Sequence, residues 1–226
     1  MIRLNIIVEG HTEERFVKDV LSNHLALFQV YAVPRKVETS RRGKKIFKGG
    51  ITTYAKFKND FLRWMNHDQS SNVRFTSMID LYGLPKDFPG FQQLFNTNDP
   101  YKKIESLEKS FAKDINDKRF IPYIQLHEYE SLILSKPQSF KKVFFEHEIQ
   151  IDHLSDMVQL FASPELIDEG NETAPSKRII KEIPEYRYIK STAGPSVARI
   201  IGLDIIRKKC PHFGNWLCQL EQLSNW

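Results

Sequence analysis

The sequence predicts an α/β protein in which a largely parallel sheet is flanked by helices and followed by a helical extension. Three short apolar runs, at residues 4–8, 75–80 and 120–126, have the length and composition of buried strands. Amphipathic segments of helical periodicity separate them, which is typical of βαβ units. Acidic residues stand at or directly after the end of each run. We therefore expect acidic side chains to meet at the carboxyl edge of one sheet, where open α/β folds bind ligands.

Periodicity and breaker residues predict the elements in order. After the first strand they indicate a helix over 12–27, a strand over 30–33, a helix over 54–67, a strand over 75–80, a helix over 101–116, a strand over 120–126 and a short buried helix over 132–134. The glycines at 43, 49 and 50 predict a flexible loop between the second strand and the second helix. Beyond residue 135, prolines divide the chain into short helices. We predict an α/β core at 1–134 and a helical extension packed on it at 135–226.

Composition narrows the class of protein. At 226 residues with 41% hydrophobic residues, the chain is long enough for one large domain or a core with an addition. It contains no uninterrupted run of about 18 apolar residues and no signal-like start, so we expect a cytoplasmic protein without a membrane partner. Cys210 and Cys218 lack the spacing of zinc or redox sites and are predicted to be buried free thiols.

Positive charge is concentrated in one segment. The net charge is +5, and seven basic residues opposed only by Glu38 account for it: Arg35, Lys36, Arg41, Arg42, Lys44, Lys45 and Lys48. Such a patch favours binding to the phosphate backbone of nucleic acid. The alternative is a solvated loop whose lysines aid solubility.

Three acids are candidate metal ligands. Glu9, Asp80 and Glu128 each stand at or beyond the end of a predicted strand, so a parallel sheet would bring them to one edge. Mg²⁺ prefers oxygen ligands and completes its shell with water and substrate phosphate. A bound cation would activate water and neutralise charge on a scissile phosphate. Glu9 forming a surface salt bridge and Asp80 capping a turn are the structural alternatives.

Other polar residues near these strand ends have two interpretations each. His127 is either a proton shuttle or a structural histidine. Glu13 and Glu130 either join the site or stabilise the first turn of a helix. A helix is predicted to start at Pro175, which is followed by Ser176, Lys177 and Arg178. These residues either bind phosphate through backbone amides and cations or form a structural turn. Lys190 is a weaker phosphate candidate. Phosphate-loop, GxSxG, HExxH and zinc-finger patterns are absent from the sequence.

Five blocks carry a family resemblance: VEGHTEE at 8–14, IDLYGLPKDFPG at 79–90, LHEYESLIL at 126–134, TAPSKR at 173–178 and IGLDIIRKKCPHF at 201–213. Together they resemble the bacterial domain-of-unknown-function family 4276. The first block also resembles the first motif of the TOPRIM fold, shared by topoisomerases, primases and nucleases of the overcoming-lysogenization-defect type. The resemblance implies Mg²⁺ or Mn²⁺ as cofactor, nucleic acid as substrate, and an ATPase partner in a bacterial phage-defence module.

The resemblance also assigns roles by position. Glu9 matches the TOPRIM glutamate, and Asp80 matches the first aspartate of its Asp-x-Asp motif. Tyr82 stands where the second aspartate is expected, and a phenol is a poor Mg²⁺ ligand. Either Asp87 or Glu128 replaces it, or metal binding is weak, or catalysis has been lost.

These observations predict a metal-dependent nuclease that hydrolyses phosphodiester bonds of DNA or RNA. Glu9 and Asp80 would form its metal centre with Asp87 or Glu128, and His127 would assist. The alternative is a noncatalytic nucleic-acid-binding or regulatory subunit that works with an ATPase partner. DNA or RNA preference stays open, as does the oligomeric state, with a homodimer among the options.

Overall fold

A parallel sheet forms the centre of the protein. The computed structural model describes residues 1–42, 45–48, 51–92, 97–167 and 173–225. Its strands are β1 (Ile2–Val8), β2 (Val30–Lys36), β3 (Glu38–Arg42), β4 (Lys45–Lys48), β5 (Val73–Asp80), β6 (Phe120–Ile121) and β7 (Ile124–Gln125). The main sheet has the order β2-β1-β5-β6, β7 also pairs with β5, and all of these pairings are parallel. Their carboxyl ends therefore share one edge.

Helices cover both faces of this sheet. They are α1 (His11–Phe16), α2 (Ser22–Ala26), α3 (Tyr54–His67), α4 (Pro100–Ile115), α5 (Glu130–Ile133), α6 (Glu148–Gln159), α7 (Pro175–Glu182), α8 (Tyr186–Ile201), α9 (Leu203–Lys209) and α10 (Pro211–Glu221). A π-helical segment, Val17–Leu21, joins α1 to α2. The predicted α/β class, with a parallel sheet flanked by helices and a helical C-terminal part, is confirmed.

Two hydrophobic cores lie on opposite faces of the sheet. Ile6 belongs to the core shared with α1 and the C-terminal helices, whereas Ile7 belongs to the core shared with α3 and α4, and both side chains are fully buried. Successive strand residues point to opposite faces, so a strand covered on both sides is apolar throughout. Tyr186 and Trp216 share the first core with β1, so the C-terminal helices are part of it. The boundary between 1–134 and 135–226 stays a prediction.

The predicted strand over 120–126 is wrong in one respect, because it forms two short strands. Pro122 lacks an N–H and interrupts the ladder between β6 and β7. The Ser77 hydroxyl of β5 fills the gap: it donates to the Tyr123 carbonyl at 2.8 Å and accepts from the Tyr123 N–H at 3.0 Å. Both short strands consequently keep their parallel register with β5.

The predicted flexible loop in the basic segment is also wrong. Residues 38–42 and 45–48 pair as the antiparallel strands β3 and β4, with Arg42 opposite Lys45. The sequence Lys45-Ile46-Phe47 includes residues with strand propensity, but the neighbouring glycines led to the prediction of a loop. The strand predicted at 30–33 extends to Lys36.

Two smaller predictions concern cysteines and membranes. Both cysteines are free thiols; Cys210 is buried and Cys218 half-buried. Within the described ranges, none of the helices is long and apolar enough to cross a membrane.

A buried hydrogen bond gives a direct test of how α10 is joined to the sheet. The Trp216 indole donates to the Thr76 hydroxyl of β5 at 2.9 Å. Thr76→Val keeps the shape but leaves a buried donor unpaired, so we expect the free energy of unfolding to fall by about 1–3 kcal/mol. Urea denaturation measures this, with the exposed Thr52→Val as control. Equal stability of the two variants would contradict the role of this bond.

Candidate metal centre

The carboxylate of Glu9 lies at the carboxyl edge of the sheet, held against the end of β5. Its Oε2 accepts a hydrogen bond from the Asp80 N–H at 3.2 Å, while the Glu9 N–H donates to the Met78 carbonyl at 3.3 Å. Gly83 makes this approach possible, because a Cβ on it would lie 2.5 Å from Glu9 Oε2. Burial raises the pKa of Glu9, the Asp80 N–H opposes the rise, and the Glu128 carboxylate adds to it.

Glu13 enters the same region from the first turn of α1. Its Oε2 accepts from the Gly10 N–H at 2.9 Å, which satisfies a donor at the start of the helix. The side chain is buried. Burial raises its pKa to about 7, hydrogen bonds from the backbone oppose the rise, and the nearby carboxylates of Glu9 and Glu130 add to it.

Glu128 is held by the start of α7. The Ser176 N–H donates to Glu128 Oε2 at 2.8 Å, and the Ser176 hydroxyl donates to Oε1 at 3.2 Å. A helix N-terminus favours an anion, and here the anion is a carboxylate of the protein itself. Both donors of Ser176 are thus engaged by Glu128, and its role as a phosphate contact stays a prediction.

Glu130 is buried at the start of α5 and contacts α8. The Tyr186 hydroxyl donates to its Oε1 at 3.3 Å, and Lys190 Nζ lies 3.3 Å from the same oxygen. Burial raises the pKa of Glu130, the Lys190 ammonium opposes the rise, and the Glu128 carboxylate adds to it. Residues of the helical extension thus take part in the acidic region.

Asp80 is the most strongly perturbed member of this group. Burial raises its pKa well above the usual range, and the negative charges of Glu13, Glu9, Glu130 and Glu128 raise it further. Its Oδ1 is enclosed and accepts no hydrogen bond within the described ranges. Burying a carboxylate oxygen without a hydrogen-bond donor destabilises the folded state, so such an oxygen is expected to have a binding partner.

These five side chains form what we call the acidic cluster: Glu9, Glu13, Asp80, Glu128 and Glu130. Its donor set is entirely carboxylate oxygen, the chemistry that suits Mg²⁺ or Mn²⁺. Among the described residues, no three Asp, Glu, His or Cys side chains form a ready-made coordination shell. The cluster therefore fits a hard divalent cation in charge and ligand type, and the enclosed Asp80 oxygen is the strongest indication of a missing partner.

Other predicted site residues are engaged differently. Both Asp87 oxygens accept from the Tyr54 N–H at 3.1 Å, so this carboxylate caps α3. The ring of His127 is buried and lies 5.2 Å, between centroids, from that of Tyr82. The Tyr82 N–H also donates to the His127 carbonyl at 3.3 Å. Tyr82, which stands where TOPRIM proteins have their second aspartate, is 41% exposed.

The basic segment is only partly described. Arg35 Nη2 lies 2.7 Å from Asp60 Oδ1 and its guanidinium lies over the Trp64 ring. Lys36 Nζ lies 2.8 Å from Glu14 Oε2. These ion pairs attach both residues to neighbouring helices, and their role in nucleic-acid binding stays a prediction. The remaining candidates lie, wholly or in their side chains, outside the described part of the chain: Arg41, Arg42, Lys44, Lys45 and Lys48.

The two cations predicted at the start of α7 differ in surroundings. Lys177 is exposed. Arg178 Nε donates to the Thr173 carbonyl at 2.8 Å and its guanidinium lies over the Phe161 ring at 5.4 Å. Lys177 is therefore accessible to a ligand, whereas Arg178 contacts neighbouring parts of the chain. The binding of nucleic acid by either residue stays a prediction.

The sequence analysis gave Glu13 and Glu130 a structural alternative, and the structure brings both into the acidic cluster. The sequence analysis did not take into account that these two side chains would be buried. Glu13 lies on the buried face of α1 together with Phe16, and Glu130 precedes a run of fully buried residues. An acid on the apolar side of an amphipathic segment is more informative than its place in a helix first turn.

Stability should depend on pH through Glu13. Its pKa is raised from 4.5 to about 7, so between these values the folded protein binds more protons than the unfolded chain. The contribution is fully present below about pH 4.5 and is lost as the pH rises through about 7. In chelator, we expect the melting temperature to fall between about pH 5.5 and 8, and Glu13→Gln to flatten that fall. An equal fall in Glu13→Gln and in the exposed-site control Glu146→Gln would contradict this assignment.

Comparisons with known proteins found solved structures of low similarity that span nearly the whole chain. The C-terminal region of the Xanthomonas campestris pv. campestris OLD protein, phased with mercury, matches with 14% identity and a TM-score of 0.42, covering 97% of this chain and 98% of that chain. The same region phased with iodine gives 14% identity, a TM-score of 0.41 and 97% coverage of each chain. No curated protein matches significantly. The model of a domain of unknown function, DUF4276, matches residues 8–221, and the chain therefore belongs to the DUF4276 family.

Proposed function

We propose that this protein is a divalent-metal-dependent nuclease that hydrolyses phosphodiester bonds of DNA or RNA. The observation that carries the proposal is the acidic cluster at the carboxyl edge of the parallel sheet, with its enclosed and unpartnered Asp80 oxygen. Raised carboxylate pKa values, burial and like charges mark a functional site more often than a structural one. The TOPRIM resemblance points to the same edge and to the same Glu9 and Asp80.

Glu9 and Asp80 would hold the cation, with Glu13 and Glu128 as further oxygen donors. When bound, Mg²⁺ or Mn²⁺ would supply a nucleophile from water and offset charge on the scissile phosphate. The positive ion would also relieve the repulsion that now raises the pKa of Asp80. Asp87 is not included, because it caps α3.

Several residues would position these ligands. The Asp80 N–H and Gly83 orient Glu9, and the two Ser176 donors orient Glu128. Such supporting contacts keep the ligands in place and tune their basicity. His127, adjacent to Glu128 in sequence, would move a proton during hydrolysis.

A noncatalytic role is the second candidate, and two observations favour it. Tyr82 occupies the place of the second TOPRIM aspartate, and no ready-made three-ligand shell exists among the described residues. In that role the chain would bind nucleic acid or regulate an ATPase partner. The family resemblance to a two-part bacterial defence module supports an ATPase partner under either function.

Neutralising Glu9 is the main test. Glu9→Gln removes a charge from the proposed cation site while keeping the shape of the side chain. We expect cleavage to fall at least about 100-fold, the upper range for disturbing a metal site. The assay uses supercoiled plasmid, linear duplex, single-stranded DNA and RNA, with Mg²⁺, Mn²⁺ or chelator.

The control is Glu146→Gln, which changes the same charge at an exposed site. Unchanged cleavage by Glu9→Gln would contradict the assignment of the nuclease site to the acidic cluster. If the wild-type protein cuts nothing but binds nucleic acid, the noncatalytic role is supported. The assay is then repeated with the neighbouring ATPase, since activity that appears only with it would restore the nuclease.

Gly83 gives a second test, which does not alter any carboxylate. In Gly83→Ala the new Cβ would lie within 2.5–2.8 Å of the Glu9 carboxylate, so Glu9 must move. We expect Mn²⁺ affinity, measured by titration calorimetry, to weaken about 10–100-fold, because the ligand loses its support. A circular dichroism melt checks that the fold survives. Wild-type affinity in a folded Gly83→Ala protein would show that Glu9 is not a ligand.

A further inference from the structure

A basic groove lies on the helical extension, on the same two helices whose residues contact Glu128 and Glu130. It is an open groove of about 710 Å³ between α7 and the start of α8. Its lining residues are Lys177, Ile180, Lys181, Pro184, Glu185, Arg187 and Tyr188. None of the proposed metal ligands lines it, so the groove is a separate feature.

The groove carries net positive charge. Lys177, Lys181 and Arg187 are all exposed, and no ion pair of these three is found in the part of the chain that the structure describes. Glu185 is the one acid among the lining residues, and its carboxylate is engaged by the ring of His147. Three exposed cations complement the phosphates of a polyanion.

Tyr188 gives the groove a second kind of contact. Its side chain is 82% exposed, although aromatic rings usually bury most of their surface. An exposed ring within a basic groove is the combination by which proteins bind single-stranded nucleic acid: cations follow the backbone and the ring stacks on a base. Bases within a duplex are already stacked and do not offer a free face to such a ring.

Two groove residues lie close in sequence to residues that contact the acidic cluster. Tyr188 lies between Tyr186 and Lys190, both of which contact Glu130. Lys177 follows Ser176, which holds Glu128. Helical backbone is interrupted at Ile189, where φ is −126° and ψ is 16°.

We propose that this groove holds a single-stranded segment of the nucleic acid on which the acidic cluster acts, with Tyr188 stacked on an unpaired base. The inference rests on the proposed nuclease function and adds the substrate class: a strand with unpaired bases.

Binding in chelator tests the groove without cleavage. Fluorescence anisotropy follows a labelled single-stranded 20-mer and the matching duplex, with wild type, Tyr188→Ala and Tyr188→Phe. We expect Tyr188→Ala to weaken single-strand binding roughly 5- to 150-fold, the range for losing one stacked base. Tyr188→Phe keeps the ring and should bind as wild type, and duplex binding should change little.

Tyr31→Ala is the matched control. Tyr31 is also exposed, at 60%, but lies near the start of β2, at the opposite end of the sheet from the acidic cluster. This variant should bind both oligonucleotides as wild type does. In addition, Lys181→Gln and Arg187→Gln should each reduce the salt dependence of single-strand binding by about 0.7 in slope.

Three results would overturn the proposal: wild-type single-strand binding by Tyr188→Ala, equal loss of single-strand and duplex binding, or no binding of either oligonucleotide by the wild-type protein. A cleavage assay with the wild type and Tyr188→Ala distinguishes failure of this inference from failure of the proposed nuclease function. If Tyr188→Ala cuts and binds single strands as wild type does, the groove is wrong and the nuclease stands. If the wild-type protein binds through Tyr188 but never cuts, the groove stands and the nuclease is wrong.

Discussion

The structure depends on one electrostatic constraint, the placement of five carboxyl groups at one edge of a parallel sheet, where Glu13 and Glu130 are buried and the other three residues are partly buried. Burial and mutual repulsion oppose ionisation there, which is why the pKa values of Glu9, Glu13, Asp80 and Glu130 are raised. Specific donors offset part of this cost: the Asp80 N–H, the Gly10 N–H, Ser176, Tyr186 and Lys190. The enclosed Asp80 Oδ1 has no such donor within the described ranges, so the cluster is electrostatically incomplete.

These donors explain why the helical extension belongs to the site. The N-terminal strand and helix contribute Glu9 and Glu13, but Ser176, Tyr186 and Lys190 come from α7 and α8. The same helices share a hydrophobic core with β1, so packing and ligand positioning are coupled. A change that loosens the extension would therefore release Glu128 and Glu130 as well as weaken the fold. The basic groove is lined by residues of these same two helices and of the turn between them.

Local patterns predicted much of this protein, and long-range contacts account for what they missed. The helix over 54–67 and the acids at three strand ends follow from apolar periodicity and strand polarity, which are local properties. The contact between Glu128 and Ser176 joins residues 48 apart, and no local pattern indicates it. The gap that Pro122 leaves in the ladder is bridged by a hydroxyl from another strand, that of Ser77. Asp87 was a metal candidate by sequence, yet its backbone partner, Tyr54, lies 33 residues away.

The central claim is that the acidic cluster takes up a divalent cation, and the number of protons released on binding tests it most directly. Carboxylates with raised pKa values must lose protons before they can coordinate a metal. Mn²⁺ titration calorimetry at about pH 6, in buffers of different ionisation enthalpy, counts these protons. The account predicts stoichiometric binding with net proton release that diminishes toward about pH 8. Absence of binding, or binding without proton release at about pH 6, would contradict it.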